Sequence, residues 1–227
     1  MNVEEEIKKC EIYLKQIKQY DPDPFYVSYF FSEYINSINN IINGIFEEAN
    51  TDFGLFVSGK ITQKKFFEKA TAKKDSNAIK FSKWFSLKYE NEHEKSYPNL
   101  MDKIRQFKNK TQSLPQIKIM IRAADRYKND FNQEIKINLT NGKIASREEL
   151  DIEIKRQTPR FLEIINAKRK KENEPKIKGG EIVPSAFLNI EESDEIEIMY
   201  ASQIYMSVIR RLIEGSRDKI KELSSWE

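Results

Sequence analysis

Apolar residues recur at steps of three and four along most of this chain, and few helix-breaking residues interrupt them. The 227 residues include only 7 Gly and 7 Pro. In the first segment, Val3, Ile7, Cys10, Leu14 and Ile17 form one stripe of an amphipathic helix. The spacing therefore predicts a mainly α fold: an up-and-down helical bundle with a small β-hairpin and a C-terminal helical extension.

Proline and capping residues divide residues 1–113 into separate helices. The sequence Asp21-Pro22-Asp23-Pro24 ends the first helix near Tyr20, and it places a capping aspartate before a proline at the first position of the next helix. A loop with a short helix near 62–70 follows, and another helix opens at Pro98. We expect residues 1–113 to form an aromatic-rich bundle.

The helix after residue 75 shows both a cap and an apolar face. Asp75 or Ser76 can cap it. The residues predicted to face inward are Ile79, Trp84, Phe85 and Leu87.

The pattern in residues 114–227 changes, and we read this part as a helical extension. Ile117, Ile119 and Ile121 alternate like a strand, although the same region fits a helix face equally well. Ile135 and Ile137 alternate more cleanly and precede the turn signal Asn141-Gly142. A β-hairpin within 116–145 is the resulting expectation.

Two helices are predicted between the hairpin and a linker. A capping box of Ser146 and Glu149 opens the first, which should end before Pro159, and Thr158 caps the second. The linker covers residues 172–185, where two prolines and a Gly-Gly pair occur.

The last predicted helix spans residues 193–222. Ser193 would cap it, with Glu195 and Glu197 in its first turn. Its apolar face consists of Ala201, Tyr205, Val208 and Leu212. We expect this face to pack on the bundle or on a second copy of the chain.

Composition excludes several classes of protein. The chain has 39 Lys+Arg and 36 Asp+Glu, a net charge of +3, which argues against binding by a general basic field. One Cys and one His exclude disulfide scaffolds and nearly every zinc site, so we expect no metal. Nucleotide-binding and hydrolase motifs are absent, which predicts no cofactor.

No apolar run reaches the roughly 20 residues of a membrane span, and the acidic start is unlike a signal peptide, so we expect a cytoplasmic protein without membrane contact.

The single thiol and the single imidazole both have ordinary structural interpretations. Cys10 lies on the apolar stripe of the first helix, where a buried small side chain is expected. His93 lies in a fully polar string, which is typical of a solvated surface position.

A basic run lies in residues 155–178, with nine Lys/Arg against three Glu. Its centre is Lys168, Arg169, Lys170 and Lys171. Such a run can contact phosphates, but it is more typical of the solvated end of a helix beside a linker, and the acidic residues of 191–197 offer it a partner within the chain.

The order of parts in residues 1–113 resembles a known family. Asp21-Pro22-Asp23-Pro24 leads into Tyr26-Val27-Ser28-Tyr29-Phe30-Phe31-Ser32, followed by Trp84-Phe85 and by a helix ending in Ile104-Arg105-Gln106-Phe107-Lys108-Asn109-Lys110-Thr111-Gln112-Ser113. This order resembles the HEPN superfamily, helical bundles common in prokaryotic defence and toxin proteins. The resemblance implies an active-site pattern of Arg, usually followed by a polar residue such as Asn, with a His four to six residues later, acting on RNA across a dimer interface.

The residues at the motif positions depart from that pattern. Lys108-Asn109 stands where Arg-Asn is expected, and Gln112 or Ser113 stands where the His is expected. Arg105 could supply the arginine instead, but no histidine follows it. RNA cleavage by 2′-OH attack benefits from a group that exchanges a proton near neutral pH, and Gln and Ser cannot do so. The resemblance thus implies a bundle that has lost its catalytic group.

Three functional hypotheses follow from the sequence. The first is a non-catalytic HEPN-like homodimer that acts as a binding or regulatory partner for RNA or a protein. The second is weak RNA or DNA binding through Lys168, Arg169, Lys170 and Lys171. The third is a residual ribonuclease with His93 as its proton carrier.

Overall fold

Helices dominate the computed structural model, which describes residues 2–96, 117–123, 134–137, 147–178, 182–191 and 194–225. The helices are α1 (Val3–Tyr20), α2 (Pro24–Asp52), α3 (Gln63–Lys73), α4 (Ser76–Ser96), α5 (Arg147–Lys171) and α6 (Ile198–Ser224). The strands are β1 (Ile117–Ala123), β2 (Glu134–Ile137), β3 (Ile182–Glu191) and β4 (Asp194–Glu197). The predicted fold class, a mainly helical chain with a small antiparallel hairpin, is confirmed.

The break between α1 and α2 follows the predicted capping chemistry. The Asp23 carboxylate accepts hydrogen bonds from the backbone N–H groups of Phe25 (3.0 Å) and Tyr26 (3.1 Å). These donors belong to the first turn of α2 and have no partner within the helix. Pro24, at the first position of α2, has no N–H to satisfy.

The hairpin is part of a larger sheet with strand order β2-β1-β3-β4. β1 and β2 pair antiparallel, with Ile119 opposite Ile137 and Ile121 opposite Ile135. The alternating isoleucines therefore form strands over 117–123 and 134–137, which decides between the two periods that the sequence left open. The predicted turn at Asn141-Gly142 lies outside the described residues.

Strands β3 and β4 occupy residues that the sequence assigned to the end of the linker and to the start of the last helix. β3 pairs with β1 and begins at Ile182, so the linker predicted over 172–185 ends earlier than expected. β4 pairs with β3, and Glu195 lies opposite Asn189. Glu195 and Glu197 therefore lie in a strand and not in the first turn of α6, which begins at Ile198. Backbone pairing with a neighbouring strand is a long-range contact that local helix signals do not report.

The prediction that a helix ends before Pro159 is wrong, because α5 continues through this residue. Proline has no N–H, so the carbonyl of Lys155 loses its usual helical donor. The hydroxyl of Thr158 donates a hydrogen bond of 2.6 Å to the carbonyl of Ile154 in the same turn. Thr158 thus acts inside one long helix and does not cap a second one.

The chain divides into two compact units. The first contains Met1–Lys15, Phe31–Lys108 and Tyr200–Glu227, and the second contains Gln16–Phe30 and Asn109–Met199.

Aromatic rings form the centre of the first unit. The Phe46 ring lies 5.3 Å from Phe66, 5.7 Å from Phe81 and 4.9 Å from Phe85, measured between centroids. All four side chains are at most 1% exposed. The predicted aromatic core thus joins α2, α3 and α4.

Helix α6 contacts the other helices of the first unit from Tyr200 onward. The four residues of its predicted apolar face, Ala201, Tyr205, Val208 and Leu212, are buried. Arg217 of α6 forms a two-point ion pair with Glu48 of α2, at 2.9 and 3.1 Å. Burial along one face and ion pairs at its edge together hold α6 against these helices.

The second unit contains the sheet and α5. The side chain of Asn166 in α5 both accepts from the N–H of Ile177 (2.7 Å) and donates to its carbonyl (3.1 Å). The Asp21 carboxylate accepts a hydrogen bond of 2.7 Å from the N–H of Ala186 in β3. The Asn166 bonds hold the segment after α5, and the Asp21 bond ties the segment between α1 and α2 to β3.

Candidate functional site

The residues that resemble a degenerate HEPN motif lie outside the described part of the chain. They are Arg105, Lys108, Asn109, Gln112 and Ser113. The predicted helix that opens at Pro98 lies there too. The sequence-based interpretation of this motif stays a prediction.

The basic residues at the end of α5 are partly bound to the chain that follows them. Arg169 donates to the Pro175 carbonyl at 2.7 Å and pairs with Glu174 at 3.3 Å. Lys168 lies 3.9 Å from Glu172, whereas Lys170 and Lys171 are exposed. Two of the four cations proposed for phosphate contact therefore already have local partners.

The lone thiol occupies the position expected for a buried apolar side chain. Cys10 is fully buried, and burial raises the pKa of its thiol to about 12. A thiol with so high a pKa stays protonated at neutral pH and is a poor nucleophile. The single histidine of the chain, His93, lies in α4.

A different basic surface lies on α3, α4 and the residues beside them. Because α3 and α4 form a helical hairpin, we call it the hairpin lysine surface. Its members are all exposed: Lys60, Lys64, Lys65, Lys69, Lys73, Lys74, Lys80 and Lys83. The same stretch, residues 60–83, has two acidic residues, Glu68 and Asp75. This surface therefore carries a strong local excess of positive charge.

Few of these lysines are neutralised. Within the described part of the chain, the one ion pair on this surface joins Lys64 to Glu68 at 4.0 Å, a long distance for two exposed side chains. Asp75 accepts a hydrogen bond from the N–H of Ala78 at the start of α4. Most of the surface charge is free to attract an anionic ligand.

Capping residues and buried rings explain why the lysines point outward. Thr62 accepts a bond from the N–H of Lys65 at the start of α3, and Lys74 ends that helix in a left-handed conformation with φ 56°. Asp75 then starts α4 at once, so the two helices form a tight helical hairpin. Because Phe66 and Phe81 are buried between the helices, the lysines occupy the opposite faces.

A cavity of about 570 Å³ opens between α2 and this helical hairpin. Ile42 and Phe67 supply its apolar walls, and Lys64 and Lys83 also line it. Its remaining lining residues are polar: Asn43, Thr62, Gln63, Ser82 and Ser86.

Hydrogen bonds organise part of the polar lining and leave one group available. The Gln63 amide donates to the Ser86 hydroxyl at 2.6 Å, and that hydroxyl donates to the Ser82 carbonyl at 3.2 Å. The side-chain amide of Asn43 has no hydrogen-bond partner among the described residues. An amide can donate and accept at once, so Asn43 suits a ligand that does both.

An exposed aromatic residue precedes the helical hairpin of α3 and α4. Phe56 is 82% exposed and has φ 55°, a conformation that bulky residues rarely adopt. The ammonium group of Lys73 lies 5.0 Å from the centroid of its ring and donates a hydrogen bond to the Gly54 carbonyl. The lysine thus contributes both charge and support for this loop.

The hairpin lysine surface has a weak signal in the sequence. Residues 60–83 contain eight lysines and two acidic residues, but the lysines are separated by apolar and polar residues. The run in 155–178 contains four consecutive cations and is easier to recognise. The cavity has no sequence signal, because its residues come from α2, α3 and α4.

Comparisons with protein-family models, with curated proteins and with solved structures return no match for this chain. In the described ranges, none of the helices combines the length and apolar character of a membrane span. The same ranges hold no cluster of three or more His, Cys, Asp or Glu side chains placed to bind a metal ion.

Proposed function

We propose that this chain is a non-catalytic nucleic-acid-binding protein that contacts phosphates through the hairpin lysine surface. The observation that carries the proposal is the set of eight exposed lysines on residues 60–83. In the described part of the chain, these lysines form one ion pair, the long contact between Lys64 and Glu68. Neutralising phosphates releases condensed counterions, which favours binding to a local basic surface even when the whole protein is near neutral.

The lack of a catalytic histidine supports binding without cleavage. The chain has one His, at position 93, upstream of the residues that resemble the HEPN motif. Active members of the HEPN superfamily act on RNA, and by its resemblance to them this chain would contact RNA without the proton carrier. We also propose that the chain forms a homodimer, because its resemblance to the HEPN superfamily implies one.

The end of α5 is a second candidate for phosphate contact. Lys170 and Lys171 are exposed there, but Lys168 and Arg169 already contact Glu172 and Glu174. A phosphate would have to displace these carboxylates or share their cations. The hairpin lysine surface has fewer such competitors, and we favour it for that reason.

Two matched charge reversals distinguish these surfaces. In one variant Lys64, Lys69, Lys80 and Lys83 become Glu, and in the other Lys168, Arg169, Lys170 and Lys171 become Glu. Fluorescence anisotropy with a labelled 12-nucleotide RNA between 50 and 200 mM salt measures affinity and its salt dependence. We expect the variant of the hairpin lysine surface to lose at least about tenfold in affinity. The logarithm of its affinity should also fall less steeply with the logarithm of the salt concentration, because each lost phosphate contact removes roughly 0.7 from that slope.

The opposite result contradicts the proposal. If the α5 variant loses affinity and the hairpin variant does not, the phosphate site is at the end of α5. If the unmodified protein shows no salt-dependent binding to RNA or DNA, nucleic-acid binding itself is excluded. Incubation of the same RNA at pH 7 tests the catalytic part: we expect intact RNA, and cleavage that disappears in His93→Ala would establish the ribonuclease alternative.

A further inference from the structure

We infer that the hairpin lysine surface selects single-stranded over duplex nucleic acid, with one unpaired base held in the cavity against Phe67. This inference rests on the proposed function and adds the ligand class and the place where it binds. It starts from the juxtaposition of a cavity that can admit a base, an exposed aromatic ring and exposed lysines on one helical hairpin.

The cavity has room for a nucleobase, and its lining suits one. Its volume of about 570 Å³ falls in the range of small-molecule sites. Ile42 and Phe67 offer apolar contact to the flat face of a ring, and Phe67 is 38% exposed, so a base can reach it. Stacking of this kind accepts any base, because every base has a π-face.

The polar side of the cavity fits the edge of a base. Asn43 presents an amide that has no partner in the described part of the chain, and it can donate and accept hydrogen bonds in parallel. In a duplex the corresponding edge of each base is already paired and the faces are already stacked. Only an unpaired base can use both the ring of Phe67 and the amide of Asn43.

The lysines around the cavity fit the backbone of a strand. Lys64 and Lys83 line the cavity itself, where they can contact the phosphates next to the inserted base. Lys65, Lys69 and Lys80 are exposed on the same helical hairpin, outside the cavity lining. A free mononucleotide cannot reach these additional cations, whereas a strand can.

An acidic protein segment is the principal competing ligand for a lysine surface. Its carboxylates would satisfy the charge and its backbone could pair with the Asn43 amide, but an acidic chain without aromatic residues offers no ring to stack on Phe67. The cavity therefore favours a ligand that combines phosphates with aromatic rings.

The test compares ligands and cavity variants. The ligands are a labelled 12-nucleotide single strand, the duplex of the same sequence, a mononucleotide and a polyglutamate peptide. The variants are Phe67→Ala and Asn43→Leu, and Phe25→Ala is the matched control because Phe25 is 41% exposed in the first turn of α2 and outside the cavity lining.

We expect the single strand to bind at least about tenfold tighter than the duplex at equal salt. Loss of one stacking contact should lower single-strand affinity in Phe67→Ala by about five- to a hundredfold, with duplex affinity within about twofold. Asn43→Leu should also lower single-strand affinity, with duplex affinity within about twofold, and Phe25→Ala should match the unmodified protein. Circular dichroism reports whether each variant is folded, and Phe67→Leu, which keeps apolar volume without a ring, replaces the alanine variant if that one is unfolded.

Three outcomes overturn the inference. Equal affinity for strand and duplex, with no effect of the Phe67 variants, removes the base pocket while leaving the proposed phosphate binding intact. Tighter binding of polyglutamate or of the mononucleotide than of the strand assigns the cavity to another ligand. No binding of any nucleic acid removes the proposed function and this inference together.

Discussion

The hydroxyl of Tyr34 in α2 donates a hydrogen bond of 2.7 Å to the backbone carbonyl of Ser202 in α6. Both residues are fully buried, although 168 positions separate them in the chain. The bond satisfies the one polar group of Tyr34 in the interior, and it sets the position of α6 along α2.

Removing this hydroxyl should lower stability measurably. We expect Tyr34→Phe to reduce the free energy of unfolding by about 0.5–1.5 kcal/mol, the usual net value of one buried hydrogen bond. Urea denaturation of the full chain measures it. Tyr26→Phe serves as the control, since Tyr26 is 43% exposed, and it should stay within about 0.5 kcal/mol of the unmodified protein. Equal stability of Tyr34→Phe and the unmodified chain would mean that this bond does not hold α6.

Cys10 should make the protein less stable at alkaline pH. Burial raises the pKa of its thiol from 9.0 to about 12, so the unfolded chain releases a proton above pH 9 that the folded protein keeps. The free energy of unfolding should therefore fall from pH 9 toward pH 12, with a slope approaching about 1.4 kcal/mol per pH unit. Denaturation curves at pH 8, 9 and 10 measure this slope.

Variants separate the thiol from other alkaline groups. Cys10→Ala should flatten the slope between pH 9 and 10, whatever its stability at pH 7. Burial also raises the pKa of Tyr34 well above 10.0, so Tyr34→Phe should flatten the slope only above pH 10. An unchanged slope in Cys10→Ala would show that another group titrates in this range.

The backbone at Phe56 should favour glycine over alanine. Its φ of 55° is costly for any residue with a Cβ. Both substitutions remove the ring and its contact with Lys73, so their difference isolates the backbone. We expect Phe56→Gly to be more stable than Phe56→Ala by about 0.5–1 kcal/mol in thermal denaturation.

An exposed helical position provides the control with the opposite sign. Leu87 is 61% exposed in α4. Leu87→Gly should be less stable than Leu87→Ala by about 1 kcal/mol, the ordinary helix preference. If the alanine variant were more stable than the glycine variant at both residues, the left-handed conformation at residue 56 would be contradicted.

Pro159 should limit the stability of α5. Replacement by Ala restores an N–H that can bond to the Lys155 carbonyl and removes the ring clash, so we expect Pro159→Ala to stabilise the helix by up to about 3 kcal/mol. Slower amide hydrogen exchange in residues 155–163 measures the gain. Thr158→Ala, which removes the bond to Ile154, should speed exchange in the same turn. Faster exchange in Pro159→Ala would show that the surrounding structure requires the proline.

Sequence patterns predicted the elements whose signals are local. The Asp23 cap and Pro24 mark the start of α2, and Ile135 and Ile137 mark β2, because both signals act within a few residues. Over β1 the sequence left strand and helix open, and pairing with β2 and β3 decided for the strand. The sequence failed where packing overrides such signals. It predicted a helix end at Pro159, and it predicted a buried Leu87, which lies about 200° around α4 from the buried Phe85.

By itself, the sequence determined that this protein is mainly helical and where its first helices start. Its single Cys and single His also exclude a disulfide scaffold and nearly every zinc site. Tertiary structure alone decided that β3 and β4 extend the hairpin into a four-stranded sheet, and that Asn43 and Phe67 meet in one cavity. The reason is physical: capping and periodicity act between neighbours along the chain, whereas strand pairing and cavities depend on side chains and backbone groups that only the folded chain brings together.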